Sequence, residues 1–158
     1  ATESQAVFDE IVRFSGSDLL CYRANEPERL VARQSERWNP VIEWAAREIG
    51  ARFILAEGVI HQQQPREAIS AFAAALRKYD TPMELASLHT ITSMTGSAIL
   101  ALAFAEGWLP LADVWSLAHL DEDWTIEHWG SDEEAEHRRA QRFEEFQAAT
   151  DVFSALRS

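Results

Sequence analysis

Proline and glycine divide this chain into segments of helical length, and this punctuation restricts the fold more than any other feature of the sequence. Pro65 and Pro110 each precede apolar residues at helical spacing, and a proline in the first turn of a helix removes no needed hydrogen bond. Gly50, Gly107 and Gly130 follow such segments, where helices commonly end in the left-handed conformation. The pattern predicts a mostly α-helical protein of about seven helices, with residues 1–158 forming a single multi-helix domain.

Two further signals predict where individual helices break or continue. Pro40 disfavours the α conformation at Asn39, so we expect one helix to end before Asn39 and another to begin there. Residues 81–84 match a capping box, and the helix that they open is expected to continue through Gly96 to about Glu106. Because this segment contains no Lys or Arg after its cap, it is predicted to be the central buried helix.

One segment has β character. Residues 52–61 are rich in Phe, Ile, Leu and Val and are divided by Glu57 and Gly58, a pattern typical of two short strands around a turn. We therefore expect at most a short β-hairpin around residues 52–62. Such a hairpin would have to lie against helices, because an isolated one is only marginally stable in water.

The charge of the chain argues against some partners. Its 26 acidic and 14 basic residues give a formal net charge of −12, and no basic run occurs. Nucleic acids and anionic membranes bind clustered Lys and Arg, so we expect neither as a partner. No apolar run of about 18 residues occurs, so no membrane insertion is expected. The single cysteine, Cys21, lies among apolar residues and is predicted to be a small buried side chain.

The most unusual part of the chain is its acidic segment, residues 121–136. It holds eight carboxylates and two tryptophans but no Lys or Arg, so nothing within it relieves the repulsion between like charges. Gly130 is expected to end one helix, and residues 131–134 match a capping box that would open the next. The segment is therefore predicted to be a junction between two helices that presents carboxylates to a protein partner.

The candidate partner-binding residues are the acidic and tryptophan side chains of this junction, namely Asp121, Glu122, Asp123, Trp124, Glu127, Trp129, Glu133 and Glu134. An exposed tryptophan beside carboxylates is typical of a binding hot spot. The alternative is a solvated face that only maintains solubility, with both tryptophans packed in the core. The sequence leaves both interpretations open.

Catalytic and metal-binding patterns are weak. Glu134 and His137 form one E-x-x-H pattern, whereas carboxylate-bridged metal sites need two on different helices and additional glutamates. No phosphate-binding glycine loop or nucleophile elbow occurs. We therefore predict no catalytic residues, no metal and no cofactor, and we expect that the chain is not an enzyme. A metal enzyme centred on Glu134 and His137 is the less favoured alternative.

Several motifs resemble those of the Atp12 family of assembly chaperones, in the same order and over nearly the whole chain. They lie at residues 18–24, 34–40, 56–59, 88–97 and 120–130. The last of these motifs runs from Leu120-Asp121-Glu122-Asp123-Trp124 to Glu127-His128-Trp129-Gly130, and it lies almost entirely within the acidic segment.

The resemblance implies a chaperone that binds the free α subunit of F1-ATPase and shields the surface that α uses with β until assembly displaces the chaperone. Members of the family carry a smaller N-terminal domain, so the chain is expected to be the C-terminal part of a longer protein. The compartment implied is the cytoplasm of an α-proteobacterium or the mitochondrial matrix, with the protein soluble in either. Acidic residues near the family's C-terminus make Glu122 and Glu127 the leading positions. Without the resemblance, a helical interaction module with an unrelated protein partner would be the first interpretation.

Overall fold

A computed structural model describes residues 2–58 and 60–157, and most of them lie in helices. This confirms the mostly α-helical prediction, with eight α-helices in the described residues. They are α1 (Thr2–Ser15), α2 (Glu28–Glu48), α3 (Arg66–Leu76), α4 (Pro82–Thr95), α5 (Ala98–Ala105), α6 (Leu111–Ala118), α7 (Leu120–Trp129) and α8 (Glu133–Arg157). A 3₁₀ turn (Leu19–Cys21) and two short strands, β1 (Tyr22–Arg23) and β2 (Ala56–Glu57), complete these elements.

The two strands pair with each other in parallel, so the hairpin predicted around residues 52–62 is wrong. Tyr22 lies opposite Ala56 and Arg23 lies opposite Glu57 in a two-stranded sheet. The backbone N–H of Gly58 then donates to the carbonyl oxygen of Arg23 at 2.9 Å. The β character of this segment was correctly recognised, but its partner is a strand from an earlier part of the chain. Val59, which the expected hairpin would have included, lies outside the described residues.

A buried glutamine replaces the missing hairpin partner. The side chain of Gln64 accepts from the backbone N–H of Ile54 and donates to its carbonyl oxygen, both at 2.8 Å. These two bonds satisfy the same backbone groups that a second strand would have paired. The segment before β2 can therefore remain extended without a hairpin.

Helix α2 continues through Pro40, which contradicts the predicted break at Asn39. Trp38, Val41 and Trp44 lie on its buried face and expose 3% of their surface or less. A proline inside a helix costs about 3 kcal/mol, whereas full burial of each large apolar side chain contributes about 1.5–3 kcal/mol. Burial of this face on both sides of the proline therefore outweighs the local penalty.

The predicted helix over residues 82–106 is interrupted at Gly96, which separates α4 from α5. Gly96 adopts a left-handed conformation with φ of 74°, and the hydroxyl of Ser97 then accepts from the backbone N–H of Leu100 at 3.0 Å. The buried carboxylate of Asp18 accepts from the hydroxyl of Ser97 at 2.7 Å and from the backbone N–H of Ile99 at 2.9 Å. Gly96 and Ser97 thus act as a helix stop and a helix start.

The core is built around α5. Residues 98–103 each expose 1% or less, and this helix packs against α1, α2, α4 and α6. Helix α8 packs along α4. Cys21 exposes 1%, which confirms the prediction that it is a buried side chain. None of the helices in the described ranges combines the length and apolar character needed to cross a membrane.

Candidate partner-binding surface

The acidic segment folds into α7, a turn at residues 130–132 and the first turn of α8. Gly130 ends α7 with φ of 77°. The predicted capping box at residues 131–134 is displaced by one residue, because the carboxylate of Asp132, not the hydroxyl of Ser131, accepts from the backbone N–H of Ala135 at 2.7 Å. Ser131 instead donates to the carboxylate of Glu136 at 2.7 Å. The expected helix junction is therefore present, with aspartate as its cap.

Arginines from other helices relieve the repulsion that the sequence left unexplained. Arg139 of α8 lies 2.5 Å from Asp123 and 3.3 Å from Glu122, and Arg33 of α2 lies 2.6 Å from Glu127. The hydrogen bond to Asp123 also raises the pKa of Arg139 above its usual value. All three acids are partly exposed, so each pair contributes about 0–1 kcal/mol. The two arginines link α7 to α2 and to α8.

Asp121 has a structural partner as well. The side-chain amide of Gln34 donates to its carboxylate at 2.8 Å, and the oxygen of the same amide accepts from the backbone N–H of Ala24 at 2.8 Å. Gln34 exposes only 2%. Asp121 therefore helps to connect α7 to α2 and to the chain that follows β1.

The two tryptophans of the segment have different environments. The ring of Trp124 is half-buried, stacks on His128 with centroids 4.2 Å apart, and has the guanidinium of Arg33 5.0 Å from its centre. Trp129 is 86% exposed, and its side chain makes no ring contact or hydrogen bond with any described residue. Trp124 consequently holds α7 against α2, whereas Trp129 is an apolar side chain in solvent.

The two candidate acids at the start of α8 are both exposed. Glu133 is exposed and has no side-chain partner within residues 2–58 and 60–157. Among the described residues, Glu134 pairs only with Arg138, one turn further along α8, at 3.2 Å. Trp129 and Glu133 are thus the two candidate residues whose side chains are free in the described structure.

A cleft that the sequence did not reveal lies between α7 and α8. Its volume is about 620 Å³, and the rings of Trp115 and Phe143 lie at its base, with centroids 5.2 Å apart. Ile126 of α7 and Ala140 of α8 also line it. Helical spacing indicates that Trp115 and Phe143 face inward, but only the relative placement of α7 and α8 determines that a cleft stays open between them.

His119 contacts Trp115 at the base of this cleft. Its ring is 4.1 Å from that of Trp115, and its Nδ1 donates to the carbonyl oxygen of the same residue at 2.7 Å. Burial lowers the pKa of His119, so the ring is neutral at pH 7. The nearest acid, Glu122, is 3.9 Å from its Nε2. This histidine packs and orients the aromatic base of the cleft.

A basic ridge faces the other side of α7. Arg29, Arg33 and Arg37 follow one another at successive turns of α2 and border a groove of about 480 Å³ that Trp124 and Glu127 close on the opposite side. The spacing of four residues was visible in the sequence and could have predicted the ridge. Its position opposite α7 could not be predicted, because it depends on how α2 and α7 pack.

The E-x-x-H pattern does not form a cluster of ligands. Glu134 pairs with Arg138, and His137 is exposed on α8. Within residues 2–58 and 60–157, no three His, Cys, Asp or Glu side chains are grouped so that they could hold a metal ion.

Comparison with known proteins gives one family model and several solved structures. A model described as ATP12 chaperone protein matches residues 1–46. The crystal structure of the Atu1473 protein from Agrobacterium tumefaciens, described as a candidate chaperone, has 64% identity and a TM-score of 0.95, and the match covers 99% of this chain and 58% of that one.

Two structures of a Paracoccus denitrificans protein also match. Atp12 from this organism has 34% identity and a TM-score of 0.91, covering 98% of this chain and 66% of that one. An aspartate-to-lysine mutant of P. denitrificans Atp12p has 33% identity and a TM-score of 0.90, covering 98% and 65%. The chain thus spans 58–66% of the length of the proteins it matches, and both source organisms are α-proteobacteria.

Proposed function

Because the chain belongs to the ATP12 chaperone family, we propose that it binds the free α subunit of F1-ATPase and shields the interface of α until assembly with β. The observation that carries the proposal is Trp129, a tryptophan that is 86% exposed at an acidic helix junction. A large aromatic side chain left in solvent beside carboxylates is a typical anchor for a protein partner. Family membership supplies the identity of that partner.

The candidate residues divide into two groups by their contacts, and we assign the groups different roles. Trp129 and Glu133 have no side-chain partners in the described structure, so they contact the α subunit directly. The others set the position and the electrostatic potential of α7 and the start of α8. These residues are Asp121, Glu122, Asp123, Trp124, Glu127 and Glu134, each of which has an intramolecular partner.

The proposed activity is binding and release rather than catalysis. A chaperone of this family is a non-enzymatic assembly factor, so the proposal needs no cofactor or metal. Carboxylates around the interface give charge complementarity and fast encounter, while a polar interface keeps the affinity moderate enough for β to displace the chaperone. The matched proteins come from α-proteobacteria, so we assign the activity to the bacterial cytoplasm in preference to the mitochondrial matrix.

A capture experiment with purified F1 α and F1 β tests the proposal. The immobilised chain should retain α and not β. Trp129→Ala and Glu133→Lys should each weaken capture of α without changing the circular dichroism of the chain. Glu144→Lys is a matched control, because Glu144 is another exposed acid without a side-chain partner in the described structure and lies about three turns further along α8.

The outcomes separate the alternatives. Retention of β in place of α would overturn the proposed partner. Retention of neither subunit would favour an unrelated protein partner for a helical interaction module. Normal retention of α by both Trp129→Ala and Glu133→Lys would show that a different surface binds.

A further inference from the structure

The cleft between α7 and α8 is an apolar site that no other described part of the chain fills. Its base is formed by Trp115, which is itself 9% exposed, and by the half-buried ring of Phe143. Ile126 of α7 and Ala140 of α8 line its walls. A volume of about 620 Å³ has room for several apolar side chains, as in other sites between helices.

The rim of the cleft is acidic. Glu122, Asp132 and Glu136 border it, and each carboxylate is at least partly exposed. The cation at the rim, Arg139, is already paired with Asp123 and Glu122. An apolar side chain that enters the cleft is therefore surrounded by negative potential at its mouth.

The apolar base and the acidic rim together restrict which partners could occupy the cleft. A second copy of the chain brings a formal net charge of −12 to an acidic rim, and an anionic membrane surface would be repelled for the same reason. A helix that places apolar anchors in the cleft and Lys or Arg beside the rim satisfies both the apolar base and the carboxylates. Charge complementarity thus points to a basic amphipathic helix.

We propose that the cleft between α7 and α8 is the docking site for a basic amphipathic helix of the partner protein. The inference rests on the proposed function and deepens it: Gly130, which follows Trp129 in the chain, lines the cleft, and the helix then belongs to the subunit that the chaperone binds. Apolar side chains of that helix bury against Trp115 and Phe143. Its Lys or Arg side chains pair with Glu136 and Asp132.

Synthetic helices test the site without any F1 subunit. The probe is a fluorescein-labelled peptide of about 18 residues, long enough to be helical, with leucines at positions i, i+3, i+4 and i+7 and arginines on either side of that stripe. One control peptide has serine in place of every leucine and the same charge. A second has glutamate in place of every arginine. Fluorescence anisotropy against the purified protein should show binding of the first peptide and at least about tenfold weaker binding of both controls.

Matched variants of the chain locate the binding. Ala140→Trp fills the cleft from the exposed side of α8, and Ala148→Trp makes the same change at an exposed position of α8 that does not line the cleft. Neither variant alters the charge. Ala140→Trp should weaken binding of the leucine–arginine peptide at least about tenfold, and Ala148→Trp should leave it unchanged.

A rim variant tests the charge component. Glu136→Gln removes one carboxylate and keeps an oxygen that can accept from Ser131, so the turn before α8 is preserved. It should weaken binding of the basic peptide and reduce the dependence of binding on salt. Both effects should be absent for the peptide with glutamate in place of arginine.

Several results would overturn the docking site. These are no binding of the leucine–arginine peptide, equal binding of the serine control, equal binding to Ala140→Trp, or self-association that Ala140→Trp abolishes. Capture of α by the unmodified chain together with equal capture by Ala140→Trp would also reject the cleft and leave the proposed function intact. Failure to capture α while the peptide binds the cleft would reject the proposed function alone.

Discussion

The guanidinium of Arg33 lies 2.6 Å from the carboxylate of Glu127, although 94 residues separate them in the chain. The same guanidinium lies 5.0 Å from the centre of the Trp124 ring. Arg33 of α2 therefore contacts both a carboxylate and an aromatic ring of α7. A charge reversal at Glu127 therefore cannot test partner binding alone, because Glu127→Lys would also place a lysine against Arg33.

A charge swap separates the structural role of Glu127 from any role in binding. Glu127→Lys alone should lower the free energy of unfolding by about 1 kcal/mol, since an exposed pair contributes up to that amount and repulsion adds to the loss. Arg33→Glu combined with Glu127→Lys should restore most of this stability, measured by urea unfolding. If Glu127 only positions α7, the combined variant also recovers capture of F1 α. Recovered stability with capture still lost would instead show that Glu127 contacts the partner.

The buried carboxylate of Asp18 should make stability depend on pH. Burial raises the pKa of Asp18 from 3.8 to about 6, despite hydrogen bonds from Ile99, Ser97 and Leu20. Because the folded pKa is the higher one, the stabilising contribution is complete below pH 3.8 and is lost as the pH rises through 6. A shift of this size corresponds to about 3 kcal/mol.

Asp18→Asn provides the reference for that measurement. The amide cannot ionise, so the free energy of unfolding of the unmodified protein minus that of Asp18→Asn should fall by about 2.4 kcal/mol between pH 4 and pH 7. Urea unfolding at several pH values measures both terms. The difference cancels titration of the other carboxylates, which the two proteins share. A difference that stays constant across this range would contradict the pKa assigned to Asp18.

Removal of Gln64 should destabilise the segment before β2. Gln64→Ala removes both hydrogen bonds to the backbone N–H and carbonyl oxygen of Ile54, and each lost hydrogen bond costs about 0.5–1.5 kcal/mol. Gln63→Ala is the matched control, because Gln63 is exposed and has no side-chain partner in the described structure. Chemical unfolding should show the loss for Gln64→Ala only. Equal stability of the two variants would mean that the side chain does not replace a strand.

The errors made from sequence share a physical cause. At Pro40 the local rule predicted a helix end, but burial of Trp38 and Trp44 on one face of α2 overrides it. At residues 52–62 the apolar content correctly indicated β structure, whereas the strand partner came from Tyr22–Arg23 and the remaining backbone bonds came from Gln64. Long-range packing decides both outcomes, and no local window of sequence contains that information.

At Gly96 the sequence signal for the helix break was local, but the prediction did not use it. A glycine followed by serine is a helix stop followed by a cap, and both residues behave in this way. The apolar run on both sides favoured one long helix.

For the candidate surface, the acidic helix junction was predictable from Gly130 and the following acids. The exposure of Trp129, the arginine partners and the cleft were not, because all depend on how α2, α7 and α8 pack.

Trp124 and Trp129 should contribute to different properties of the protein. We expect Trp124 to contribute mainly to stability and Trp129 mainly to binding. Trp124→Ala removes a half-buried ring that stacks on His128 and receives the Arg33 guanidinium, so it should lower the free energy of unfolding by about 1–3 kcal/mol. Trp129→Ala removes a ring that is 86% exposed and should change stability by less than about 0.5 kcal/mol. Trp129→Ala should nevertheless weaken capture of F1 α, and it should do so while the protein remains fully folded. Urea unfolding and capture of F1 α on the same two variants measure both effects, and unchanged capture by Trp129→Ala would remove this side chain from the interface.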